Sequence, residues 1–147
     1  MLFRTFSFRQ PPPWSRFPES CTSQRMLACT HLSETVQHRT MGLDSPIRIQ
    51  ATRDEARIAV LEFAESESLL HMAFTSEDLV HARVRSFFMG YIDDMAVKWV
   101  CDSNDMLLFD FHSESQLGVG DDDSNGDRLK RFARWSQRYP WSGQKCV

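Results

Sequence analysis

The stretch AVKWVCDSNDMLLFDFHSE, residues 96 to 114, decides the fold. Val97, Trp99 and Cys101 fall on one face of an extended segment. Asp102, Ser103, Asn104 and Asp105 form a polar turn, and Leu107, Phe109 and Phe111 resume the alternation. Two apolar faces of period two joined by a short turn predict a β-hairpin with one side on a core.

Working outward from the hairpin, the chain reads as a single α+β domain. "PIRIQ" places Ile47 and Ile49 on one face of a short strand. In "ATRDEARIAVLEFAESES", Thr52 and Glu55 make a capping box, and Ala56, Ala59, Val60 and Phe63 lie on one stripe, which favours a helix; alternation at Ala59, Leu61 and Phe63 leaves a hairpin strand open. "SLLHMAF" is either a strand or that helix continued. In "TSEDLVHARVRSFFMGYI", Thr75 or Ser76 can cap, Glu77 and Asp78 fill a first turn, and Val80, Val84, Phe87, Phe88 and Tyr91 recur at helical spacing. This spacing predicts an amphipathic helix ending near Gly90. The expected architecture is a small antiparallel or mixed sheet with two or three helices on one face.

The expected organisation has four parts. Residues 1–43 form a disordered or mis-started extension, with Pro11, Pro12, Pro13 and Pro18 breaking any targeting helix. Residues 44–117 form the core, 118–127 an acidic flexible linker, and 128–147 a basic helix and tail. An Arg- and Ser-rich, acid-poor start also has the composition of an organelle transit peptide. Charge follows the same division: +3 over residues 1–40, −12 over 41–127 and +6 over 128–147, within a net charge of −3.

Cys21, Cys29, Cys101 and Cys146 show no C-x-x-C and no zinc spacing, so a reducing, cytoplasmic setting is the default, with an organelle as the alternative. No apolar run reaches membrane-spanning length. At 147 residues and 41% hydrophobic content, one domain with a real core is expected.

Signatures of nucleophile and cofactor chemistry are absent: no G-x-S-x-G, no G-x-G-x-x-G, no Walker A lysine, no H-E-x-x-H. No cofactor is expected. Asp121, Asp123, Asn125 and Gly126 fit the first half of a calcium loop, but its closing position is Phe132, so no specific calcium site is expected. The best metal or acid–base set is Asp110, His112 and Glu114, at alternate positions on the outward face of the second hairpin strand. On that reading they face water, and polar residues there need no further role. His71 and His81 have no partner at ligand spacing.

From Asp127 a helix is predicted, with Leu129, Phe132, Ala133, Trp135, Ser136 and Tyr139 on one side and Lys130, Arg131, Arg134 and Arg138 on the other, stopped by Pro140. "DSNG", residues 123–126, follows the strand "MLLFDF" and precedes this helix. It resembles the D-S-x-G turn of anti-sigma-factor antagonist (STAS) domains, and the resemblance implies a phosphorylated Ser124 and a kinase-like regulator as partner.

The favoured function is a non-catalytic regulatory or interaction module that meets a protein partner through Lys130, Arg131, Phe132, Arg134, Trp135, Arg138 and Tyr139. Binding of nucleic acid or an anionic surface through the basic side is the alternative, disfavoured by the acidic body. A metal-dependent enzyme built on Asp110, His112 and Glu114 is the third reading. Against all of these stands the helix docking on its own sheet.

Overall fold

The computed structural model describes residues 11–22, 24–85, 91–117 and 123–147. Its centre is the hairpin of β6 (Ile92–Cys101) and β7 (Leu107–Ser115), in register from Asp93↔Ser115 to Cys101↔Leu107. The Asp102 carboxylate accepts from the Asn104 and Met106 N–H groups and so shapes the turn.

Around this hairpin grows an antiparallel seven-stranded sheet in the order β2-β1-β7-β6-β5-β4. β4 is Leu69–Thr75 and β5 is Leu79–Arg85. β1 is Cys29–Leu32 and β2 is Gln37–His38. β3, Ile47–Ile49, pairs with residues 107–109 of β7, and β1 pairs with residues 111–114.

Two helices, α1 (Arg53–Ser66) and α2 (Ser124–Arg138), pack against the sheet. α1 begins at the Thr52–Glu55 capping box, with both reciprocal hydrogen bonds formed at 3.2 Å. It buries Ala56, Ala59, Val60, Phe63 and Ala64. α2 buries Leu129 and Phe132, and the Phe132 ring meets Phe63, Phe109 and Phe111. The core is completed by Leu32, Val80, Ala82, Val84, Met95, Val97 and Trp99, the residues of each strand that share one sheet face.

Three expectations are corrected. The sheet is large and there are two α-helices among the described residues. Residues 79–85 are a strand rather than part of a helix over 75–90; residues 86–90 lie outside the described residues. Val80, Ala82 and Val84 face the core while His81 and Arg83 point to the opposite face, and that face is buried too. Apolar Val80 and Val84 at i and i+4 imitate a helix, and Glu77 and Asp78 lie in the β4–β5 turn, where the Ser76 N–H donates to the Leu79 carbonyl.

The third correction concerns residues 1–43. Residues 29–32 and 37–38 are strands, and Leu32 is fully buried. β1 belongs to the same sheet as 44–117, so the folded unit begins well before residue 44. The composition signal fails because β1 is only four residues long and is stabilised by pairing with a strand from the far end of the chain. Likewise residues 124–127 of the expected linker are the first turn of α2.

All four cysteines are paired, Cys21 with Cys29 and Cys101 with Cys146. Disulfides persist where thiols are not held reduced, so the expectation of a reducing compartment does not stand on cysteine spacing. The second pair fastens the C-terminal tail to the end of β6, beside the hydrogen bond from the Cys146 N–H to the Asp105 carbonyl. Among the described residues, no helix is long and apolar enough to cross a membrane.

Candidate functional site on the second sheet face

The face of the sheet turned away from the helices is lined with ionisable side chains. The strand register sets them in three rows. Leu79, Lys98 and Asp110 form the first. His81, Ala96, His112, His31 and His38 form the second, running from β5 through β6, β7 and β1 to β2. Arg83, Asp94, Glu114 and Cys29 form the third. His31, His81 and His112 are each 0% exposed, and Asp94 is 2% exposed. Buried polar groups of this density are retained only where they find partners.

At one end, His81 Nε2 lies 2.7 Å from Asp94 Oδ1, and Arg83 Nε donates to the same oxygen at 3.1 Å. Gln116 Nε2 donates to Asp94 Oδ2 at 3.2 Å. Burial pushes the Asp94 carboxyl up, but the hydrogen bonds and charges of His81 and Arg83 outweigh it and hold the group below the usual carboxylate range. His81 Nδ1 accepts the Trp14 main-chain N–H at 2.9 Å, so the proton of a neutral His81 sits on Nε2, toward Asp94.

At the other end, His31 Nδ1 and His112 Nδ1 are 2.8 Å apart, and His31 Nε2 is 3.2 Å from Ser33 Oγ, which donates to the Val36 carbonyl. The contacts fit donation in either direction: His112 Nδ1–H to His31, His31 Nε2–H to Ser33 and Ser33 O–H to Val36, or the reverse, with His112 Nε2–H turned toward Glu114 Oε1 and the Cys29 sulfur. Burial, and then the neighbouring His112 and His38, push His31 down to about 4, so it is neutral at pH 7.

Residues 11–22 cover this face. The Trp14 ring stacks on His81 with centroids 4.4 Å apart and meets His112 edge-on at 5.4 Å. Ala96, the small residue between those two histidines in the row, leaves room for it. Phe17 contacts His31 and His112, and Arg83 Nη2 donates to the Pro11 carbonyl. The Cys21–Cys29 disulfide pins the end of the segment to β1. Beside it opens a cleft of about 600 Å³ lined by Arg16, Phe17, His31, Thr35, Lys98 and other residues.

The sequence-expected sites fare unevenly. Asp110, His112 and Glu114 do share a sheet face, one in each row, but His112 and Glu114 are buried rather than turned to water. All three lie on the face opposite Leu107, Phe109 and Phe111, as the alternation requires, and the cover over that face comes from residues far away in sequence. His112 Nε2 is 3.5 Å from Glu114 Oε1. Asp110 stands apart, lifted to about 6 by burial, partly offset by Lys98 and reinforced by Glu34.

On α2, Phe132 is in the core, and Trp135 and Tyr139 are half-buried against Phe63 and Trp141. Arg131 is tied to Glu67, and Arg134 and Arg138 are exposed. Asp123 pairs with Arg39, while the Asn125 side-chain oxygen accepts from Ser113 and Arg128. Asp121 lies outside the described residues. Ser124 is the first residue of α2.

Sequence reasoning missed Trp14, Cys29, His31, Arg83 and Asp94, whose partners come from different strands. The one available signal was the alternation of His81 and Arg83 with Val80, Ala82 and Val84, legible only once β5 is read as a strand.

Residues 19–134 match the model of a family described as "Protein of unknown function (DUF1499)", and the chain belongs to that family. No curated protein and no solved structure matches it.

Proposed function

For a member of this family, we propose a non-catalytic regulatory binding module whose contact surface is the second sheet face, where it clasps an extended, aromatic-bearing peptide segment. The chain's own residues 11–22 occupy that surface in cis. One observation carries the reading: Trp14 is seated between His81 and His112 while its main-chain N–H is held by His81 and the Pro11 carbonyl by Arg83. A side-chain pocket combined with main-chain hydrogen bonds is how folded domains grip extended peptides. The reading places the contact on this face instead of the aromatic side of α2, where Phe132 is in the core and Trp135 and Tyr139 are half-buried.

The test uses a chain beginning at Gln24, which retains every strand, and a synthetic peptide of residues 11–22 with Cys21 replaced by Ser. Saturable binding, lost with Trp14→Ala in the peptide and weakened by His81→Ala in the protein, is expected. A cooperatively melting protein that ignores the peptide rules the clasp out.

The His81–Asp94 pair favours a second reading, acid–base catalysis. A carboxylate behind an imidazole orients it as a general base, and His81 Nδ1 is the nitrogen that Trp14 covers. Hydrolysis of an activated ester by the chain from Gln24, faster than free imidazole gives and lost in Asp94→Asn, is the result this reading requires.

A further inference from the structure

We infer that Cys21, Cys29 and His112 become a zinc-class metal site when the Cys21–Cys29 disulfide is reduced. It rests on the proposed function in one respect: Cys21 belongs to residues 11–22 and stays beside His112 while that segment is seated. Their ligand atoms, Cys21 Sγ, Cys29 Sγ and a His112 ring nitrogen, all lie within 4.8 Å of one another.

The geometry is close to a coordination shell. A tetrahedral zinc with sulfur at about 2.3 Å and imidazole nitrogen at about 2.0 Å has an S···N edge of about 3.5 Å. Cys29 Sγ stands 3.7 Å from His112 Nε2. The S···S edge of the same tetrahedron is about 3.8 Å, reached by side-chain rotation about Cα atoms 6.0 Å apart. Water or the Glu114 carboxylate, 3.5 Å from His112 Nε2, supplies the fourth ligand.

The surroundings prepare the histidine for this. With a metal on Nε2 the His112 proton sits on Nδ1, 2.8 Å from His31 Nδ1, which accepts it while His31 Nε2 donates to Ser33. Metal-bound imidazoles are oriented by such a partner on the other ring nitrogen. His31 is thus a positioning residue.

The chemistry balances with a dithiol as reductant. It delivers two electrons and two protons, the S–S bond breaks, Cys21 and Cys29 become thiols, and the dithiol becomes a disulfide. The metal then displaces both thiol protons to solvent and takes the two thiolates with neutral His112.

The experiment titrates Co²⁺, and then Zn²⁺ in competition, into full-length protein before and after reduction, with circular dichroism confirming the fold throughout. One equivalent of Co²⁺ bound only after reduction, with a thiolate-to-cobalt charge-transfer band, is expected. The band should vanish in Cys21→Ser and persist in Cys101→Ser with Cys146→Ser. His31→Gln should weaken affinity by about 10- to 100-fold without removing the band. Folded, reduced protein that takes up no metal overturns the inference, as does a band undiminished in Cys21→Ser.

Discussion

Asp110 is a carboxylate that the fold would rather keep neutral. In the unfolded chain it ionises near 3.8, in the folded protein near 6, so the folded state binds the proton more tightly. Stability contributed by the neutral form is complete below pH 3.8, declines as pH rises toward 6 and is gone above that. Asp110→Asn should therefore be more stable than the parent at pH 7 to 8, with the gap closing below pH 4, as thermal melts across pH will show. His112 behaves differently. The expectation of an outward, dispensable residue gives way to one that is fully buried and supplies half of the bond to His31. His112→Ala should cost about 2 kcal/mol in chemical denaturation, from the partner left unsatisfied; a change within 0.5 kcal/mol would mean that the His31–His112 contact contributes nothing.

Among the elements, α2 divides cleanly between packing and solvent. Phe132→Ala removes a ring that touches three other phenylalanines and should destabilise by about 3–5 kcal/mol. Arg134→Glu with Arg138→Glu, on the exposed side, should stay within about 0.5 kcal/mol for each site. The β6–β7 hairpin and β3 were legible from residues alone, through the turn at Asp102 and the Ile47–Ile49 alternation, whereas for α1 the Thr52–Glu55 box favoured a helix and the alternation at Ala59, Leu61 and Phe63 left a hairpin strand open. β5 was not legible in this way. Its alternation of Val80, Ala82 and Val84 with His81 and Arg83 fits a strand, but Val80 and Val84 at i and i+4, preceded by Glu77 and Asp78, fit a capped helix as well. The candidate site was legible only as far as His112 and its two carboxylate neighbours, since the remaining members converge through pairing that no local spacing records.

For the whole molecule, the first forty residues matter more than their composition suggests. A chain starting at Met41 lacks β1 and β2, exposes the edge of β7 and removes Leu32 from the core; it should melt without cooperativity. A chain starting at Gln24 loses the cover and the Cys21–Cys29 disulfide, and should keep a cooperative transition while its histidines become reactive toward an acylating reagent once the Cys29 thiol is blocked. Differential scanning calorimetry of the two separates these outcomes. The pairing of β1 with β7 also has a temporal side. β1 hydrogen-bonds to β7, whose paired residues follow it by 81 positions at His31 and His112, so its donors and acceptors wait unclaimed until that length of chain has been made. During that interval β7 of a neighbouring copy is as good a mate as its own, and strand exchange between nascent chains is the hazard this topology carries.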